Sequence, residues 1–259
     1  MWQRALVVCA VLAGQTGCAP TTGCDAHAGA STCTRVLFIG NSYTFVNDLP
    51  GTFAGLAATG GHQVETGMLA FGGATLGARA ADPATTQTVG SARWSVVVLQ
   101  EQSEIPSVQR ARDTEMYPAV RQLVRVIRDA GARPMLYLTW AHRNGWPANG
   151  LNGYRVMQSA IEDGYLAIAA EQHTAVAPVG AAWAALLAAD PDPGLWQPDG
   201  SHPTAAGTYL AACVFYAAVF RASPLGLDYH ADLSPDQAAR LQSVAADVVL
   251  AARTRWGLA

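Results

Sequence analysis

The chain contains no lysine: all 16 of its basic residues are arginine. That excludes a Schiff-base lysine and the lysine of a phosphate-binding P-loop. No glycine-rich dinucleotide fingerprint follows a strand-like run, and no Cys-x-x-Cys pair occurs. The six histidines are scattered at no metal-binding spacing, so no metal or cofactor is expected. Charged residues make up only 14% of the chain against 51% hydrophobic, which excludes a disordered polymer. The net charge is −3 with no basic run, which argues against nucleic acid as a partner. No composition break divides residues 35–259, so they read as one domain with ample length for a core.

The first apolar run, Ala5–Ala13, is too short for a permanent membrane span. With Arg4 ahead of it, it reads as an export leader over residues 1–17. Gly14-Gln15-Thr16-Gly17-Cys18 resembles a bacterial lipoprotein signal, although Gln15 stands where an aliphatic residue is usual. The resemblance implies that Cys18 is lipidated and that this lipid is the only attachment to a membrane. The alternative is ordinary cleavage after Ala26-His27-Ala28. Either route exports the protein, and the lipidated form is held at the cell envelope. Residues 18–34 are small and polar and read as a flexible tether. Cys24 and Cys33 within it either pair in an oxidising compartment or stay free thiols. Cys213 sits in an apolar helical run and reads as a small hydrophobe.

Strand signals recur at Val36–Gly40, His62–Leu69, Trp94–Leu99, Pro134–Trp140 and Thr174–Val179. Helical patterns separate and follow them near Asn47–Thr59, over 114–130, Asn152–Glu171, Ala181–Ala189 and Ala205–Phe220. A last helix opens on the capping box Ser234-Pro235-Asp236-Gln237. Strands alternating with helices predict an α/β protein: a flavodoxin-like, three-layer α/β/α fold with a five-stranded parallel sheet of order 2-1-3-4-5.

Polar residues stand at the ends of these strands, where open parallel sheets bind ligands. Gly40-Asn41-Ser42 follows the first strand and places a hydroxyl between a strand end and a helix start. Phe71-Gly72-Gly73-Ala74 follows the second, and Gln100-Glu101-Gln102-Ser103 the third. Asp199-Gly200-Ser201-His202 lies in the loop after the fifth. A hydroxyl, an imidazole and a carboxylate are the groups that activate serine for attack on an ester. Each stretch alone is also ordinary turn chemistry. All together, in this order, they resemble the SGNH, or GDSL-like, hydrolases, which are mostly esterases, lipases and carbohydrate deacetylases.

That resemblance covers residues 35 to about 222 and implies a role for each residue. Ser42 matches the nucleophile, His202 the general base and Asp199 its orienting carboxylate. The N–H groups of Ser42 and Gly73 match two oxyanion donors. Asn41 replaces the usual Asp. The third block departs: the expected Asn is missing, and either Gln100 or Gln102 is left to complete the oxyanion hole. Gln100 is preferred, because it matches the glutamine of some carbohydrate acetylesterases. Trp140, Trp146 and Trp196 lie on the same side and either stack on a substrate or pack the loops. Trp140 and His142 are the candidates for the substrate cleft. The expected activity is hydrolysis of short acyl esters, carbohydrate acetates first among them, on a small-molecule or glycan substrate. The alternatives are a glycan- or partner-binding lipoprotein without turnover and an acyltransferase using the same triad.

Overall fold

The computed structural model describes Cys24 and residues 33–259. The expected leader, Cys18 and most of the tether lie outside the described residues. In chain order the elements are β1 (Thr34–Gly40), α1 (Ser42–Phe45), α2 (Leu49–Thr59), β2 (Val64–Ala70), α3 (Leu76–Ala81) and α4 (Pro83–Gly90). Then come β3 (Val96–Leu99), α5 (Gln109–Ala111), α6 (Tyr117–Asp129), β4 (Arg133–Tyr137), β5 (Gly145–Trp146) and β6 (Leu151–Asn152). The chain closes with α7 (Tyr154–Gln172), β7 (Ala175–Ala177), α8 (Val179–Ala189), α9 (Ala205–Phe220) and α10 (Pro235–Leu250).

Val36–Ile39 and Val96–Leu99 are apolar runs without alternation, and every one of these side chains is buried. Such runs belong in the middle of a parallel sheet covered on both faces. The five-stranded sheet has the order β2-β1-β3-β4-β7, and its paired strands are all parallel. β5 and β6 form a separate two-stranded antiparallel ribbon, so β7 is the fifth strand of the expected order. The chain leaves β1 toward β2 and returns to β3 on its other side. The crevice between the ends of β1 and β3 is therefore a topological switch point, the usual ligand position in open α/β sheets.

α9 is buried along nearly its whole length, packed between α2 and α10. Phe38 of β1 meets Phe53 of α2 and Phe215 of α9 edge-on, with centroids 6.0 and 5.2 Å away. Such edge-to-face pairs add to the burial of their rings.

Several boundaries differ from the sequence expectation. β4 ends at Tyr137, not Trp140. Beyond it the Gln158 amide of α7 stands in for a strand: its Oε1 accepts from the Ala141 N–H and its Nε2 donates to Thr139 O. Residues 112–116 form a π-helical turn that leads into α6. Pro118 has no N–H to give to that turn, which favours the wider ladder. Two short helices, capped by Thr75 and Asp82, follow the glycine loop Phe71–Ala74. Beyond α10, Trp256 O accepts from the Val176 N–H and covers the outer edge of β7. Cys24 and Cys33 form a disulfide with Cα atoms 5.4 Å apart, and Cys213 is a buried free thiol. Among the described residues no helix is long and apolar enough to cross a membrane.

Phe38 is wholly buried, so its truncation leaves a cavity at the centre of the sheet. Phe38→Ala is expected to lower the unfolding free energy by about 3–5 kcal/mol, read from urea denaturation.

Candidate active site

β1 delivers the chain to a turn built for close approach. A Cβ on Gly40 would lie 2.4 Å from Gln100 Oε1 and 2.6 Å from Thr44 Oγ1. Only glycine leaves that space. Asn41 caps the one-turn helix α1, its Oδ1 accepting from the Tyr43 N–H at 3.1 Å. Its Nδ2 donates to Ala74 O at 3.1 Å, a bond that the carboxylate of an aspartate cannot make. Ser42 is the first residue of α1. Its N–H has no hydrogen-bond acceptor among the described residues.

Ser42 Oγ lies 2.9 Å from His202 Nε2, across 160 residues of sequence. His202 Nδ1 lies 2.6 Å from Asp199 Oδ2. With Nδ1–H donated to that carboxylate, Nε2 is left as an acceptor for the serine proton. Asp199 Oδ1 accepts from the N–H groups of Ser201 and His202 at 2.9 and 3.0 Å. Burial pushes the Asp199 carboxyl up, but the Ser201 N–H and His202 bonds outweigh it and hold it below its ordinary range. Gly200 takes φ +71°, the left-handed backbone that lets this turn close.

The loop that carries His202 rests on aromatic rings. Tyr43 stacks on Trp140 with centroids 4.4 Å apart, and Trp140 stacks on Trp183 at 4.1 Å. Trp140 Nε1 donates to Ser201 O at 2.9 Å, and Tyr43 Oη lies 2.6 Å from Ser201 Oγ. Burial raises the Tyr43 hydroxyl to about 12, so it stays neutral and hydrogen-bonded. Asn47 Nδ2 donates to Pro203 O, and the Arg143 N–H to Gly200 O.

This arrangement corrects two expectations. Trp140 is completely buried, so it supports the loop of Ser201 and His202 and does not line a cleft. Trp196 is also buried and donates to Ala141 O. His142 stays on the site's rim: it is half-buried, and its Nε2 lies 3.2 Å from Ser103 Oγ. Burial chiefly lowers the His142 imidazole, so it favours the neutral form.

The second correction concerns the third block. Gln100 is fully buried, with its amide held at both ends. Oε1 accepts from the Asn41 N–H at 2.8 Å and the Thr44 hydroxyl at 3.0 Å, while Nε2 donates to Glu101 O at 2.6 Å. One amide N–H is left over, but it belongs to a side chain enclosed in the fold. Gln102 is better suited. Its Oε1 accepts from the N–H groups of Glu104 and Ile105, and its Nε2 makes only a long 3.4 Å contact with Glu104 Oε2. Gly73 takes φ +66° in an exposed turn, and its N–H has no acceptor among the described residues.

Between the two glutamines, Glu101 is fully buried, a residue the sequence reading passed over. Its Oε1 accepts from the N–H groups of Leu76 at 2.9 Å and Gln102 at 2.7 Å. Burial raises its carboxyl to about 7, against the pull of those two bonds. Among the described residues no cluster of His, Cys, Asp or Glu is arranged to hold a metal ion.

No protein-family model and no curated protein matches the chain. Solved structures do. A protein from Slackia heliotrinireducens assigned as an SGNH hydrolase is 29% identical, with a TM-score of 0.62 over 72% of this chain and 99% of its own. A DUF4886 family protein from Bacteroides uniformis is 18% identical, with a TM-score of 0.71 over 84% of this chain and 95% of its own. An acetyl-xylooligosaccharide esterase from Geobacillus is 17% identical, with a TM-score of 0.55 over 70% of this chain and 92% of its own. The chain has the SGNH, or GDSL-like, hydrolase fold.

The raised carboxyl of Glu101 has a thermodynamic consequence. A folded value above the unfolded one adds stability below the unfolded value and loses it as pH rises through the folded one. Glu101→Gln removes that loss. Relative to wild type, the variant is expected to gain up to about 3 kcal/mol between pH 4.5 and 8, read from denaturation at each pH.

Proposed function

We propose that this protein is a serine esterase that cleaves short acyl esters through an acyl-enzyme on Ser42. The observation that carries the reading is the unbroken hydrogen-bond chain from Ser42 Oγ through the His202 ring to Asp199, at 2.9 and 2.6 Å. A neutral hydroxyl is a poor nucleophile, so a base must take its proton as it attacks. In this reading Ser42 Oγ bonds to the ester carbon while its proton passes to His202 Nε2. Asp199 keeps the imidazole in the required tautomer and stabilises the imidazolium. The negative charge on the former carbonyl oxygen meets the unclaimed N–H groups of Ser42 and Gly73. Each such donor contributes roughly 2.7–4 kcal/mol. The Gln102 amide is the best-placed third donor. His202 then gives its proton to the leaving alcohol, and a water activated by the same ring releases the acid.

The substrate we favour is an acetyl ester on a carbohydrate. The support is the similarity in fold to an acetyl-xylooligosaccharide esterase and the exposed Phe71, which directly precedes the glycine loop. We further place the protein at the cell envelope, held by a lipid on Cys18 ahead of the tether, with glycan esters and not nucleic acid as its partners.

The test is labelling of the purified protein with a fluorophosphonate probe, together with turnover of p-nitrophenyl acetate and an acetylated xylooligosaccharide. Wild type is expected to label and to turn over. Ser42→Ala is expected to lose labelling, and both Ser42→Ala and His202→Ala to lose roughly 10⁴-fold or more in kcat. A folded wild type that neither labels nor releases acid overturns the esterase reading. Activity on the nitrophenyl ester alone overturns the carbohydrate assignment.

A further inference from the structure

We propose that Glu101 is a positioning residue for the oxyanion site, acting through one acceptor oxygen that fastens the glycine loop to the loop after β3. The inference rests on the esterase reading. A single oxygen, Oε1, accepts from two backbone N–H groups that belong to different loops: Leu76 at 2.9 Å and Gln102 at 2.7 Å. Leu76 is the first residue of α3, three positions after Gly73. Gln102 carries the partly exposed amide of the third block, with donor capacity to spare.

Glu101 is itself immobilised. Its N–H donates to Tyr165 Oη at 3.1 Å, and its carbonyl accepts from Gln100 Nε2 at 2.6 Å. From the other side of the crevice, Asn41 Nδ2 holds the same glycine loop at Ala74 O. Gly73 sits just ahead of these two clamps with its own N–H uncommitted. Oxyanion donors are effective only when held where charge develops, and an error of 1 Å costs about 10²-fold in rate. The second carboxyl oxygen, Oε2, is buried with no partner among the described residues. The clamp therefore uses an acceptor atom and not a carboxylate as such.

The experiment compares Glu101→Gln, which keeps the acceptor oxygen, with Glu101→Leu, which keeps the bulk alone. Both are made in the full chain and assayed on p-nitrophenyl acetate. The Gln variant is expected to hold kcat within about threefold of wild type. The Leu variant is expected to lose about 10²-fold in kcat with KM within about threefold. Amide exchange at Leu76 and Gln102 is expected to quicken in the Leu variant only. A Leu variant with wild-type kcat overturns the proposal. So does a Gln variant that loses more than about tenfold, a result that decides the matter even if the Leu protein fails to fold. Absence of wild-type turnover removes the esterase reading and this inference together, whereas an active wild type with indifferent variants removes Glu101 alone.

Discussion

The carboxamide of Gln100 joins the two central strands at the point where the chain changes direction across the sheet. Its oxygen takes the Asn41 N–H from the end of β1 and the Thr44 hydroxyl from the helix that follows, and its nitrogen returns to its own strand at Glu101 O. All of this is buried, where a polar group left unpaired costs about 1–3 kcal/mol. The turn that presents Ser42 is thus held by an amide fixed at both its oxygen and its nitrogen. Gly40 follows from the same constraint, because a methyl group there would occupy the amide oxygen's place.

The two halves of the candidate triad are held by different physics. Ser42 stands on a buried turn fixed by hydrogen bonds to β3. His202 and Asp199 stand on a loop whose side chains are a third to a half exposed. That loop gains its rigidity from below, through the column of Tyr43, Trp140 and Trp183 and the bond from Trp140 Nε1 to Ser201 O. Stacked rings supply large buried area with few rotatable bonds, which suits a platform that must hold an imidazole within hydrogen-bonding distance of a hydroxyl.

Much of the sheet was legible because Val36–Ile39 and Val96–Leu99 admit little besides a strand buried on both faces. Ser42, Asp199 and His202 stood out because three reactive residue types followed strand ends in a recognisable order. The choice between Gln100 and Gln102 was not legible. Both are glutamines with equal donor capacity, and only the position of Asn41 and Thr44 in space shows which amide is held inside the fold. Trp140 misled for a similar reason: it follows β4 on the catalytic side, but Gln158 draws the chain inward there and buries the indole. Glu101 carried no sequence signal, since a charged residue after a strand normally faces water.

The distance along the chain between Ser42 and His202, 160 residues, has a consequence for the protein's life before it is folded. Ser42 emerges early in synthesis and the imidazole late, after every strand of the sheet. Until α9 closes over β1 and carries the preceding loop into place, Ser42 is an ordinary alcohol of negligible reactivity. The nascent chain therefore lacks the hydroxyl–imidazole pair until its tertiary structure is complete.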